Sequence, residues 1–152
     1  MNAARKSLVA RMVLLLVGLW AVAGCEKKDP VMQDIDASNL RNLASFWTRA
    51  TAQNRGKPPA SEAEFKKYIH SMPPDQLAAM KIEDVDKLFI SERDGKPYVI
   101  LYDKTITGSE GRVMGHEQEG KNGKRLVALS FGQVREVDAT EFEKLVPAGK
   151  KP

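Results

Sequence analysis

Between residues 38 and 54 apolar side chains return with a helical period. Leu40, Leu43, Trp47 and Ala50 sit at i, i+3, i+7 and i+10, and Ala44 and Thr51 fill the stripe, while Arg41, Asn42, Arg49 and Gln53 point away. Asp36 or Ser38 caps this helix, and Gly56 with Pro58-Pro59 ends it. Trp47 lies on the apolar stripe and reads as core rather than as a platform for a cofactor. Ser61 followed by Glu64 is a capping box and predicts a short helix with Phe65, Tyr68 and Ile69 on one face, stopped by Met72-Pro73-Pro74. Residues 75–80 predict another turn or two of helix, with Leu77 and Met80 inward.

From Leu88 onward the period changes to two. Residues 88–91 and 97–102 are strand candidates around Asp94-Gly95, a hairpin signal. The second of these is apolar on both faces from Tyr98 to Tyr102, as a central strand would be. Residues 105–111 read as a polar loop, 112–117 as a weaker strand, and Gly120-Lys121-Asn122-Gly123 as a turn. Residues 125–131 form a firm strand, again apolar on both faces, and Gly132-Gln133 turns the chain into a strand at 134–137. Asp138 and Glu141 make a second capping box, which opens a last helix carrying Phe142 and Leu145 and closed by Pro147. Helices followed by a meander predict an α+β fold. In it the N-terminal helix and the short helix pack on one face of a small antiparallel sheet, with a short C-terminal helix after it. Residues 38–148 make a single domain, large enough to bury about two-thirds of its surface, and residues 149–152 a disordered tail.

The start of the chain has a different character. Arg5, Lys6 and Arg11 precede an uncharged run from residue 12 to residue 24. As a helix that run rises only about 20 Å, short of the roughly 30 Å hydrocarbon core of a bilayer. Residues 1–24 are therefore expected to be a signal peptide and not a stable span. Val22-Ala23-Gly24-Cys25 resembles the lipobox of bacterial lipoproteins. The resemblance implies a diacylglycerol on the Cys25 thiol, cleavage before Cys25, and acylation, as with palmitate, of the new N-terminus. Two or three fatty chains hold a protein on a bilayer stably, where one holds it marginally. A cysteine bound as a thioether is no longer a thiolate nucleophile or a metal ligand. Residues 25–37, with Glu26, Lys27, Lys28, Asp29 and Pro30, then read as the lipidated cysteine and a short tether. Familiar lipoproteins with an aspartate just after the cysteine stay on the inner membrane. That position here is Glu26, so the resemblance assigns the domain to the periplasm or outside without choosing the membrane.

This changes how the charge is read. The whole chain carries a formal net charge of +4, from 24 basic and 20 acidic side chains. Without the three leader cations, 21 basic side chains face 20 acidic ones. A near-neutral domain has no overall pull toward phosphates, and no nucleic-acid partner is expected. One cysteine in 152 residues excludes an intramolecular disulfide and a multi-cysteine zinc cage.

Two stretches of the domain resemble the heads of type II secretion pseudopilins and pilin-like proteins. One is the helix at residue 40 onward with Asn54-Arg55-Gly56-Lys57-Pro58-Pro59 and the small acidic helix that follows, to Ile69. The other is Val127-Ala128-Leu129-Ser130-Phe131-Gly132-Gln133-Val134, a strand, a glycine turn and a returning strand. The family's last hairpin often carries Asp-Gly-His-Val where this chain has Phe131-Gly132-Gln133-Val134, so only the glycine and the valine match. Pilins keep a long apolar helix and polymerise through it, whereas here the apolar run ends in the lipobox. The resemblance implies a pilin-like head moved onto a lipid anchor.

Motifs for chemistry are sparse. His116-Glu117-Gln118-Glu119 is not His-Glu-x-x-His, and on a strand His116 faces away from both carboxylates, as a surface or sheet-rim histidine would. A metal site there would need a ligand from elsewhere, such as His70. Glu83, Asp84 and Asp86 lack a calcium-loop pattern and read as a solvated helix start. Gly108, Gly111 and Gly115 are too loosely spaced for a phosphate loop, and no nucleophile elbow is present. The expectation is a cell-envelope lipoprotein, anchored through Cys25 and without enzymatic activity or cofactor. Its domain binds an envelope protein, in a pilin-like or secretion-associated role, with the exposed members of Tyr98, Tyr102 and Phe131 as the contact. The alternative is a small-ligand or metal-binding lipoprotein, or an envelope hydrolase, with His116 and nearby acids at a pocket.

Overall fold

The computed structural model describes residues 35, 37–102, 106–108 and 111–146. The leader, the lipobox, Cys25, the tether as far as residue 34 and the tail lie outside the described residues. No helix among the described residues is long and apolar enough to cross a membrane.

The fold is α+β. Helix α1 (Asn39–Gln53) buries Leu40, Leu43, Ala44, Phe46, Trp47 and Ala50. Of the two candidate caps Ser38 does the work: its Oγ accepts from the Arg41 N–H at 3.2 Å and donates to the Ile35 carbonyl at 2.8 Å. Ile35, which the sequence assigned to the tether, is 7% exposed and belongs to the core. The packed domain thus begins before the helix does.

Helix α2 (Glu62–His70) opens on the expected box, with Ser61 Oγ accepting from the Glu64 N–H at 3.2 Å. Phe65 and Ile69 are fully buried, and Trp47 meets Phe65 edge-on at 5.4 Å between centroids. Helix α3 (Pro74–Ala79) starts at a proline, whose missing N–H costs nothing in a first turn.

Five strands make one antiparallel sheet among the described residues: β1 (Val99–Ile100), β2 (Ile106–Gly108), β3 (Gly111–His116), β4 (Arg125–Leu129) and β5 (Val134–Val137). The order is β1-β3-β4-β5, with β2 pairing the same edge of β3 as β1. The expected strand at 88–91 is instead a 3₁₀ turn (Lys87–Phe89) followed by a single bridge from Ile90 to Pro97. The Asp84 carboxylate accepts from the Asp86 N–H at 2.8 Å and stabilises the turn that leads into it. The stretch expected as a polar loop at 105–111 contains β2, which pairs Ile106 with Val113 and Gly108 with Gly111.

Side-chain alternation divides the sheet into two apolar faces. Met114, Leu126, Ala128 and Val134 pack against α1 and α2. Leu101, Val113, Val127, Leu129 and Val137 pack on the other side, under Phe142 and Leu145. Helix α4 (Ala139–Leu145), capped by Asp138 through a 2.9 Å bond to the Glu141 N–H, covers that second face. Strands β3 and β4 are apolar on both faces because helices lie on both.

Candidate functional site

Three places in the described residues bring polar or exposed chemistry together. The first joins the segment 91–96 to the end of β3. Glu117 is 0% exposed. Its Oε1 accepts from the Ser91 hydroxyl at 2.8 Å and its Oε2 from the Leu126 N–H at 2.7 Å. Arg93 Nε stands 3.6 Å from Glu117, and Arg93 Nη2 reaches Glu136 at 2.7 Å. Next to it, Asp94 accepts from the Lys96 N–H at 3.0 Å and from the Glu119 and Gly120 N–H groups at 3.0 and 2.9 Å. Burial alone would raise the Asp94 carboxyl, but these N–H donors hold it below its ordinary value. Lys96 and Glu119 form an ion pair across the same gap. The result is two loops, 91–96 and 118–124, fixed to each other at one end of the sheet. Asn122 and Gly123, both at positive φ, close the second loop in the manner of a tight hairpin.

His116 lies on the opposite face of the sheet from Glu117, as strand alternation requires. It is buried, not at a rim as expected: 8% is exposed, and its ring meets Phe142 edge-on at 4.9 Å. Its Nδ1–H donates to the Glu117 carbonyl at 2.8 Å. Burial pushes the imidazole pKa down, the Glu117 carbonyl opposes that, and the Arg125 cation adds to it. Arg125 itself stacks on Phe142, 4.3 Å from the ring centroid. His70 sits on α2, on the other side of the sheet, and is exposed. Among the described residues no group of three or more histidine, cysteine, aspartate or glutamate side chains is arranged to hold a metal ion.

A cavity of about 200 Å³ lies between α1 and α2, lined by Ala50, Gln53, Asn54, Pro59, Glu64 and Tyr68. The Tyr68 hydroxyl is buried without a hydrogen-bond partner. His116 does not line this cavity.

The three aromatic contact candidates separate. Tyr98 is 7% exposed in the core, its hydroxyl donating to Glu92 at 3.2 Å, and burial beside that carboxylate pushes the phenol pKa up. It offers no contact surface. Tyr102 is half-buried and meets Trp47 at 5.9 Å. Phe131 is 78% exposed at the tip of the β4–β5 turn. That turn is a three-residue loop: the Leu129 N–H donates to the Gln133 carbonyl at 2.8 Å, the Gly132 N–H donates to the Leu129 carbonyl at 3.0 Å, and Gly132 takes φ 81°.

Sequence reading missed the Glu117 network. A glutamate in a strand candidate reads as solvent-facing, and what makes its burial tolerable, the Leu126 N–H together with Ser91 and Arg93 more than twenty residues away, is set by the fold. No protein-family model, curated protein or solved structure matches the chain.

Proposed function

We propose that the protein is a cell-envelope lipoprotein, held on the membrane through Cys25, whose α+β head binds another envelope protein and is not an enzyme. The observation that carries the anchor is Val22-Ala23-Gly24-Cys25 at the end of a short apolar run with a basic start. Binding is favoured over catalysis by how the charged groups are used. Glu117 and Asp94 are committed to backbone N–H groups, a serine and an arginine, and His116 is covered by Phe142. Groups so fixed hold two loops in one shape, and a rigid surface loses little freedom when a partner docks. Lys96, Glu119, Lys121 and Lys124 are the charges presented there. The helix-then-sheet order is in keeping with the pilin-like resemblance, and a secretion or pilus-like assembly is the partner class it suggests.

Crosslinking in intact cells, followed by purification of the full-length lipoprotein and mass spectrometry, tests this reading. A reproducible envelope protein captured through residues 91–96 or 118–124 supports it. A protein purified without a partner favours the small-ligand alternative, for which the cavity at Tyr68 is the specific observation.

A further inference from the structure

The sheet face made by Leu101, Val113, Val127, Leu129 and Val137 is buried, yet its cover is slight. Helix α4 supplies Phe142 and Leu145, and Val146 follows just past its end, all three half-buried. The helix has seven residues, and none of them is itself buried. A helix that short does not hold together alone in water, so α4 exists because it is docked. It is the last described element, and its release breaks no strand pairing. Phe142, its largest apolar side chain, touches two nitrogen-bearing groups of the sheet. His116 meets the ring edge-on at 4.9 Å between centroids, and the Arg125 guanidinium lies 4.3 Å from the ring centroid.

We propose that α4 is a proton-operated flap: when His116 is protonated, Phe142 lifts from it and the helix leaves the sheet ahead of the rest of the fold. An imidazole covered by a phenyl ring is out of water, and charging it there costs more than charging it in solvent. The neighbours do not offset that cost. From β4 the charge acting on the ring is the Arg125 cation, which opposes a second one. From α4 it is Phe142 that faces it, while Asp138, Glu141, Glu143 and Lys144 are exposed. From β1 the residue opposite is Val99. On its own strand the Glu117 carbonyl accepts from Nδ1–H at 2.8 Å, a bond that both protonation states keep. The Glu117 carboxylate lies on the other face of the sheet, committed to Ser91 and Leu126. Lifting Phe142 returns His116 to water, so the open form takes the proton more readily. Docking is therefore at full strength above the ordinary 6.5 and weakens as pH falls from there toward the depressed value of the covered ring. Across that window the docking constant drops about tenfold per pH unit, and below it no further. A cover of half-buried side chains belongs to the least stable part of a fold and opens first. Its opening bares the apolar face beneath it.

The test is amide hydrogen exchange on the purified full chain, read as protection factors at about pH 7.5 and about pH 5.5. At both pH values the amides of residues 142–146 should be less protected than those of α1 and β4. Their exchange should respond little to low urea, because a local opening exposes little surface. At the lower pH their protection should fall severalfold, and in His116→Gln that fall should vanish. In Phe142→Ala the same amides should be unprotected at both pH values. His116 in that variant, followed by its ring proton resonances in NMR, should titrate closer to 6.5 than in the wild type. Protection of 142–146 equal to that of α1 and β4 would mean that the helix leaves only when the whole fold does, and overturns the flap. Protection that does not change with pH, or a fall that persists in His116→Gln, overturns it too. Should His116→Gln fail to fold, the NMR titration decides. A rise in the His116 pKa on removing Phe142 supports the flap, and a His116 that titrates at the same pH with and without Phe142 overturns it.

Discussion

Replacing Glu117 by alanine should be among the most damaging single changes to this fold. The carboxylate is fully buried and accepts from two donors at 2.7 and 2.8 Å, with Arg93 at 3.6 Å. Alanine leaves the Leu126 N–H and the Ser91 hydroxyl without their acceptor inside the protein. It also leaves the side chain of Arg93, 14% exposed, with Glu136 as its remaining carboxylate. Breaking one partner of a buried charge pair costs about 3–5 kcal/mol, a large share of the roughly 5–15 kcal/mol that holds a small domain together. Glu117→Gln keeps an acceptor oxygen and loses the charge, and should cost about 1–2 kcal/mol. Urea unfolding of the mature chain followed by Trp47 fluorescence measures both, since Trp47 is its single tryptophan and is 1% exposed. With a urea slope of about 1–3 kcal/mol per molar, Glu117→Ala should lower the midpoint by about 2 M. A loss below about 0.5 kcal/mol, the range of an ordinary surface change, would refute the claim that this network locks the loops.

Other outcomes follow from the same geometry. His116 is held neutral, with its pKa below the 6.5 of the free side chain. The unfolded chain then binds the proton more readily, so His116 lowers stability as pH falls from 6.5 toward the depressed folded value. His116→Gln should flatten that part of the stability curve, and an unchanged slope would show that the histidine does not cause it. Gly120 takes φ 73°, and a β-carbon there would stand 2.1 Å from the Lys124 carbonyl oxygen. Gly120→Ala should therefore cost at least about 2 kcal/mol in thermal or urea unfolding. A near-wild-type midpoint would mean that the 118–124 loop rearranges freely. Phe131→Ser, at an exposed tip, should leave the midpoint within about 0.5 kcal/mol of wild type. A larger loss would make Phe131 part of the core.

Where sequence signals were local, the fold was legible. The stripe from Leu40 to Ala50, the serine at its start and the Gly56 turn mark α1 almost to the residue. The capping boxes at Ser61 and Asp138 locate α2 and α4, because the bond each makes spans only three positions. Strand β4 was recognisable as doubly buried from Leu126-Val127-Ala128-Leu129, although the packing of α4 on its second face was not. Leu88-Phe89-Ile90 misled because a three-residue apolar run has no period. The capping bonds of Asp84 and the packing of Phe65 on Phe89, 5.8 Å between centroids, decide for a turn. Strand β2 was missed because Thr107 and Gly108 look like loop residues until β3 lies beside them. Of the candidate contacts, exposure separated Phe131 from Tyr98 through tertiary packing alone, since both sit in apolar segments. The proposed anchor at Cys25 rests on a different kind of signal. A processing signal is read by its linear order and needs no fold to be recognised.

The anchor is also where the functional reading is most directly tested. Cells making the wild-type chain and Cys25→Ala would be fed labelled palmitate, and each chain followed through membrane fractionation. The expected result is that the wild-type chain takes up label and sediments with membranes, while Cys25→Ala takes up none and appears in the soluble fraction. A wild-type chain without label, or a Cys25→Ala chain that still sediments with membranes to the same extent, would contradict a lipoprotein held through Cys25.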